Sequence, residues 1–137
     1  MNRSDFQELA ETRLADVDTL IKQARYDAAY YLAGYAIECA LKACIAKQTR
    51  EHEFPPRKAA ELYQHDLQKL LELAGLTRRW LDEIAADAEL GGNWDVVKAW
   101  SEQSRYEKTR TEEEAKDLYS AIEDQQHGVL QCLRRFW

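Results

Sequence analysis

Glu38 and Lys42 stand four residues apart inside AAYYLAGYAIECALKACIA, a stretch that is otherwise almost wholly apolar. Residues at that spacing share one face of a helix, and Glu before Lys is the favourable order for a pair. The carboxylate and the ammonium can therefore face a cleft and hold a ligand. Alternatively they can pair with each other and fix how the helices register, which is the commoner use. Tyr30, Tyr31 and Tyr35 offer rings on which a base could stack, although rings at helical spacing more often pack a core or an interface. His65 beside Asp66 offers an acid or a base, where a helix cap is the commoner role. Cys39, Cys44 and Cys132 are an odd number without a Cys-x-x-Cys, and His52, His65 and His127 fall at no ligand spacing to them. No metal site and no cofactor is indicated. The thiols read as reduced, buried small hydrophobes of a cytoplasmic protein.

The elements that must position these residues are helical. The first is expected over residues 5–24, with Ser4 as N-cap and Gln7 completing a capping box. Its apolar stripe is Phe6, Leu9, Ala10, Val17, Leu20, Ile21 and Ala24. The second, over residues 26–47, has the length of a membrane span, but two charges in its middle and the polar remainder of the chain exclude that reading. A helix apolar on every side is a buried one. Ala29, Ala33, Ala36, Ala40 and Ala43 form one seam of it, where a neighbouring backbone can approach closely, and Gly34 leaves a gap. It is the central helix of a bundle, enclosed by its own chain, by a second copy, or by both.

Beyond it, Pro55 and Pro56 mark a loop over residues 48–57, followed by a short helical segment over 58–63. HDLQKLLELAGL gives an apolar face of Leu67, Leu70, Leu71 and Ala74 with Gly75 as its stop. Thr77 is expected to cap RRWLDEIAADAEL, with Trp80, Leu81, Ile84 and Ala88 inward and Gly91–Gly92 closing it. Asn93 then caps WDVVKAW, whose Trp94 and Trp100 pack it onto the bundle. After a polar connection, Thr111 and three glutamates open a last helix whose stripe runs from Ala115 through Leu118, Tyr119 and Ile122 to Val129, Leu130 and Leu133. The whole reads as one domain over residues 1–137: all-α, an up-and-down helical bundle of about five helices with additional short helices.

Only five Gly and two Pro occur among 137 residues, and 32% are charged, which fits such a bundle and not a disordered chain. The net charge of −6 excludes a whole-surface attraction for phosphate backbones and leaves room for a small focused site. Three local basic spots, Arg57–Lys58, Arg78–Arg79 and Arg134–Arg135, read as solvated helix ends. The first residues, MNRSDFQELAETR, carry no apolar signal core.

AAYYLAGYAIECALKAC, HDLQKLLELAGL and the Arg105–Tyr106 pair ahead of a capped final helix together resemble the HEPN domain family. The resemblance implies a small, all-helical, usually dimeric bundle. It further implies one of three roles: a metal-independent ribonuclease, the partner of a minimal nucleotidyltransferase, or a binding module without catalysis. Ribonuclease members carry Arg, four to six residues, then His. Arg105 is the matching arginine, but the positions due for histidine hold Arg110, Thr111 and Glu112. The resemblance thus points to a homodimeric binding module. Its partner would be a nucleotidyltransferase in a toxin–antitoxin or defence-type pair, its ligand a nucleotide or RNA, and its site Arg105, Tyr106, Glu38 and Lys42. Tyr106 is also placed as a target for nucleotidyl transfer. The alternatives are a divergent ribonuclease using Arg105 with His65, Arg110 or Glu112 standing in for the histidine, and a purely structural dimerisation module.

Overall fold

A computed structural model describes residues 1–51 and 63–137, with the side chains of residues 49–51 left aside. Among the described residues every regular element is helical: α1 (Arg3–Lys22), α2 (Tyr26–Glu51), α3 (Leu67–Leu73), α4 (Thr77–Ala86), α5 (Ala88–Lys98), a 3-10 turn (Glu102–Tyr106), α6 (Glu112–Glu123) and α7 (Val129–Leu133). The chain is thus an all-α bundle of five longer helices with α3, α7 and the 3-10 turn as short additions. No described helix is long and apolar enough to cross a membrane.

α2 is the axis of the bundle, and its own chain encloses it. All five residues of the alanine seam have no exposed surface, and neither do Ile37 and Leu41. α1 lies along α2 as its most extensive neighbour, and α3, α6, α7 and the 3-10 turn complete the sleeve. Small side chains allow this crowding, because they let several backbones approach one helix at once. α2 continues to Glu51, so the loop expected from residue 48 begins later. The remainder of that loop, with Pro55, Pro56 and Arg57–Lys58, and most of the expected short segment up to Tyr63 lie outside the described residues.

Several local boundaries differ from expectation. α1 starts two residues early: Asn2 accepts from the Asp5 N–H at 2.9 Å and Asp5 accepts from the Asn2 N–H at 2.8 Å, a capping box that pre-empts Ser4. It ends at Lys22, with Ala24 at φ +58°, so Ala24 is exposed and Leu14 joins the buried face. Thr77 is the first residue of α4 and not its cap; the N-cap is Leu76, which has no capping side chain. The glycine pair does not end a helix. Asp87 caps α5 by accepting from the Leu90 N–H at 3.2 Å, and Gly91, Gly92 and Asn93 all lie inside α5. Gly91 sits there because a Cβ would meet Ile84 Cγ2 at 2.9 Å across the α4–α5 contact. This break leaves Leu81 and Ala88 exposed and buries Leu90. The expected last helix is two. Thr111 and Glu114 form its capping box as expected, but α6 stops at Glu123. At Gly128 a Cβ would lie 2.4 Å from the Asp124 carbonyl oxygen, so the turn into α7 needs a residue without one.

Trp80 and Trp94 meet edge to face at 5.3 Å beneath α4 and α5, and Leu118, Ile122, Leu130 and Leu133 fill the α6–α7 side. Cys39, Cys44 and Cys132 are free and buried; burial pushes their thiols up, to about 11, about 12 and about 11.

A polar clasp ties the head of α5 to the α6–α7 turn. His127 Nδ1 is 2.8 Å from Asp87 and its Nε2 3.3 Å from Glu89, while Asn93 donates to the His127 carbonyl at 2.8 Å. The hydrogen bond to Asp87 raises the His127 pKa above 6.5, and the same bond lowers that of Asp87 below 3.8. Asp124 adds to the raising field. The histidine contribution is complete below 6.5 and fades as pH rises through the raised value. The aspartate contribution holds above 3.8 and is lost as pH falls through the lowered one. The melting-temperature gap between the parent protein and His127→Gln is therefore expected to be wider at pH 5 than at pH 8.5. Equal gaps at the two pH values would remove the clasp from the stability of the fold.

Candidate functional site

The polar residues that can do chemistry gather where the middle of α2 meets the approach to α3 and the 3-10 turn. Glu38 is 1% exposed although it carries a carboxyl group. Its partner is His65, whose Nδ1 lies 2.5 Å from Glu38 Oε1. Lys42 is half-buried and makes no ion pair among the described residues, so the Glu38–Lys42 pair expected from the spacing is not formed. The reason is that Glu38 turns into the core, where the histidine arrives from another element, while Lys42 keeps access to water.

His65 is held in place by its neighbours. The Gln64 side-chain oxygen accepts from the backbone N–H groups of both His65 and Asp66, and Asp66 caps α3 by accepting from the Lys69 N–H at 3.1 Å. The other ring nitrogen, Nε2, lies 3.2 Å from Glu102 Oε2. That same oxygen is 3.6 Å from Arg105 Nη2. Ser101 positions Glu102 and Arg105 by capping the 3-10 turn through the Gln103 N–H. A continuous polar chain thus runs Glu38–His65–Glu102–Arg105, from a buried carboxylate to a half-exposed guanidinium.

An aromatic wall backs this chain. Trp100 is 4% exposed and lies flat on Gly34 of α2. Tyr31 stacks on Trp100 at 6.1 Å and on Tyr35 at 6.2 Å. Burial raises the Tyr31 pKa and pushes that of Tyr35 up to about 12, so both phenols are neutral donors near neutral pH. Tyr106 is 69% exposed, with the Arg105 guanidinium over its ring at 5.2 Å. Between wall and chain lies a cleft of about 220 Å³, lined by His65, Asp66, Trp100, Ser101, Glu102 and neighbouring glutamines. Two buried polar atoms on this stretch of chain, Trp100 Nε1 and Ser104 Oγ, have no hydrogen-bond partner among the described residues. Unsatisfied buried groups are costly and rare away from functional sites. Among the described residues no three of His, Cys, Asp or Glu are arranged to hold a metal ion.

The structure therefore brings together three of the four residues singled out from sequence, Glu38, Arg105 and Tyr106, and adds His65 to them. Lys42 forms no ion pair with this chain of groups. Glu102 and Trp100 went unrecognised as members of the site. The i, i+3 spacing of Glu102 and Arg105 was the available signal, but it reads as a pair only once a helical turn is known there. The three residues at the positions due for histidine have other work. Arg110 is forked between Glu107 and Glu114 and covers the Tyr30 ring at 3.9 Å, while its N–H donates to Asp27 at 2.6 Å. Thr111 caps α6, and Glu112 pairs with Lys116. Of the candidate stand-ins, His65 shares a neighbour, Glu102, with Arg105.

Compared with known proteins, the chain matches a family model described as the HEPN domain over residues 4–125, which takes in α1 through α6. No curated protein and no solved structure matches it.

Proposed function

This chain belongs to the HEPN domain family, and on that premise we propose that it is a binding module for a nucleotide or RNA, with the cleft beside Arg105 as its site. The observation that carries the reading is the Glu102–Arg105–Tyr106 arrangement. Arg105 touches Glu102 at 3.6 Å and makes no other ion pair among the described residues, which leaves donors for a phosphate, and the adjoining Tyr106 ring is 69% exposed for a base to stack on. A homodimer, a minimal nucleotidyltransferase as partner and a toxin–antitoxin or defence-type role in the cytoplasm complete the proposal; they rest on the family alone. Titration calorimetry with ATP and with a short single-stranded RNA tests it. Arg105→Ala is expected to weaken the tighter of the two by tenfold or more. A parent protein that binds neither would sink the reading.

One observation favours a second reading. Because Glu102 Oε2 is shared by His65 and Arg105, a substrate phosphate that displaces this carboxylate would meet both side chains. Arginine can stabilise developing phosphate charge and histidine can move a proton, which is the pair of roles a metal-independent ribonuclease needs. Glu38 would then orient the imidazole. Metal-free cleavage of a labelled RNA pool, lost in both Arg105→Ala and His65→Gln, would establish it. Absence of cleavage by the parent protein would dismiss it.

A further inference from the structure

Nine residues beyond Glu38 on α2, about 14 Å along the axis and half a turn round it, Lys47 faces a different cleft. This cleft has a volume of about 340 Å³ and is walled by Lys47 and Gln48 from α2, Gly75 and Arg79 around the start of α4, and Arg135 and Phe136 after α7. Two of the basic spots read from sequence as solvated helix ends thus each send one arginine to the same place. The companion of one is spent elsewhere: Arg134 is bound through two nitrogens to Glu11, at 2.8 and 2.7 Å.

We infer that this cleft is a second, separate site that takes the phosphate groups of a small phosphorylated ligand. Charge is the first reason. Three cations line the cleft, and among the described residues only one carboxylate answers them, Glu83 at 2.9 Å from Arg135. Lys47 and Arg79 make no ion pair among those residues. In a chain with net charge −6, two cations at one cleft with no counterion among the described side chains mark it as locally basic.

Preorganisation is the second reason. The Phe136 ring contacts both guanidiniums, Arg79 at 5.8 Å and Arg135 at 5.5 Å from its centroid, so both side chains are anchored at the cleft wall before any anion arrives. An anion in the cleft can accept from either fork.

The backbone adds a third reason. α4 begins at the cleft with no side-chain cap, and the first N–H groups of this ten-residue helix have no intrahelical acceptor. Gly75, at φ +69°, leaves room there for the Gln48 amide, which a Cβ would meet at 2.5 Å. The positive field is felt by a neighbour: burial pushes the Cys44 thiol in the wall up to about 12, with Lys47 and Arg3 pulling against it. The volume sits at the small end of ligand sites, roughly 300–1,000 Å³, which suits a diphosphate group and not an extended polymer.

This inference does not depend on the nucleotide reading of the Arg105 cleft, and one experiment separates the two. Pyrophosphate is titrated calorimetrically into the full chain and into Lys47→Gln, Arg79→Gln, Glu83→Gln and Arg105→Ala. The parent is expected to bind. Lys47→Gln and Arg79→Gln are expected to weaken binding about tenfold each, as loss of a charge-assisted contact does. Glu83→Gln, which frees Arg135, tightens binding a few-fold, and Arg105→Ala leaves it unchanged. ADP in place of pyrophosphate shows whether a nucleoside adds to the phosphate contacts; the same two variants must weaken it. Arg79 is exposed, and an unchanged melting curve confirms that its variant is folded. No binding at millimolar pyrophosphate, equal binding by Lys47→Gln and Arg79→Gln, or loss of binding in Arg105→Ala would each overturn the assignment.

Discussion

His65→Ala is expected to lower the unfolding free energy by about 2–3 kcal/mol, far more than a half-exposed histidine usually contributes. The cost comes from what the substitution leaves behind. The Glu38 side chain is 2% exposed, and His65 is the one group among the described residues that hydrogen-bonds its carboxylate. Removing one partner of a buried charged pair strands the other and typically costs 3–5 kcal/mol. The His65 side chain is 41% exposed, so water can follow it out and reduce that figure. The same contact fastens the approach to α3 onto α2, so its loss also loosens one side of the cleft. Urea denaturation of four proteins decides the matter: the parent, His65→Ala, Glu38→Leu and the double variant. Replacing both partners by apolar groups removes the stranded charge, so the double variant should recover most of the loss. Strict additivity, or a loss below about 0.5 kcal/mol in His65→Ala, would mean that water already reaches Glu38.

The parts of the fold legible in the sequence are those governed by periodicity. α2 is apolar all round, and it is the enclosed helix; the Thr111 cap and the Gly75 stop stand where their chemistry requires them. The family is likewise legible, and its model matches residues 4–125. Misplaced features are those where two local signals compete. Asp87 outweighs the Gly91–Gly92 pair because a cap that satisfies an N–H decides a boundary more strongly than glycine's modest cost inside a helix. Gly128 divides α6 from α7 although the apolar stripe continues across it, since periodicity does not report a single residue without a Cβ. The site was half legible for a different reason. Spacing along one helix offered Lys42 to Glu38, but burial chose His65, which lies 27 residues away. A partner brought in by packing leaves no mark at any local spacing. The cleft of Lys47, Arg79 and Arg135 was illegible for the same reason, since its cations come from three elements.

Gly34→Ala sets two known magnitudes against each other. Gly34 has an ordinary helical backbone, so helix propensity alone favours alanine by roughly 1 kcal/mol. Packing opposes it. A Cβ on residue 34 would lie 2.2 Å from Trp100 Cδ2 and Cε2 and 2.3 Å from Cγ, well inside contact distance. Those atoms belong to a rigid ring that is 4% exposed and stacked on Tyr31, not to the end of a flexible chain. Overpacking of this kind costs about 1–3 kcal/mol or more, and an overlap this deep belongs at the upper end. The net expectation is a loss of about 1–2 kcal/mol, read from chemical denaturation. The ring cannot withdraw alone: Ser101, Glu102 and Arg105 follow Trp100 in the chain, so the cleft shifts with it. Ligand binding at Arg105 should therefore fall by more than the stability loss explains, under conditions where the variant is fully folded. Trp100→Ala in the Gly34→Ala background relieves the overlap and should make alanine at 34 neutral or stabilising. A more stable Gly34→Ala single variant would mean that propensity outweighs packing here, and that the wall of the cleft gives way more easily than a close-packed ring should.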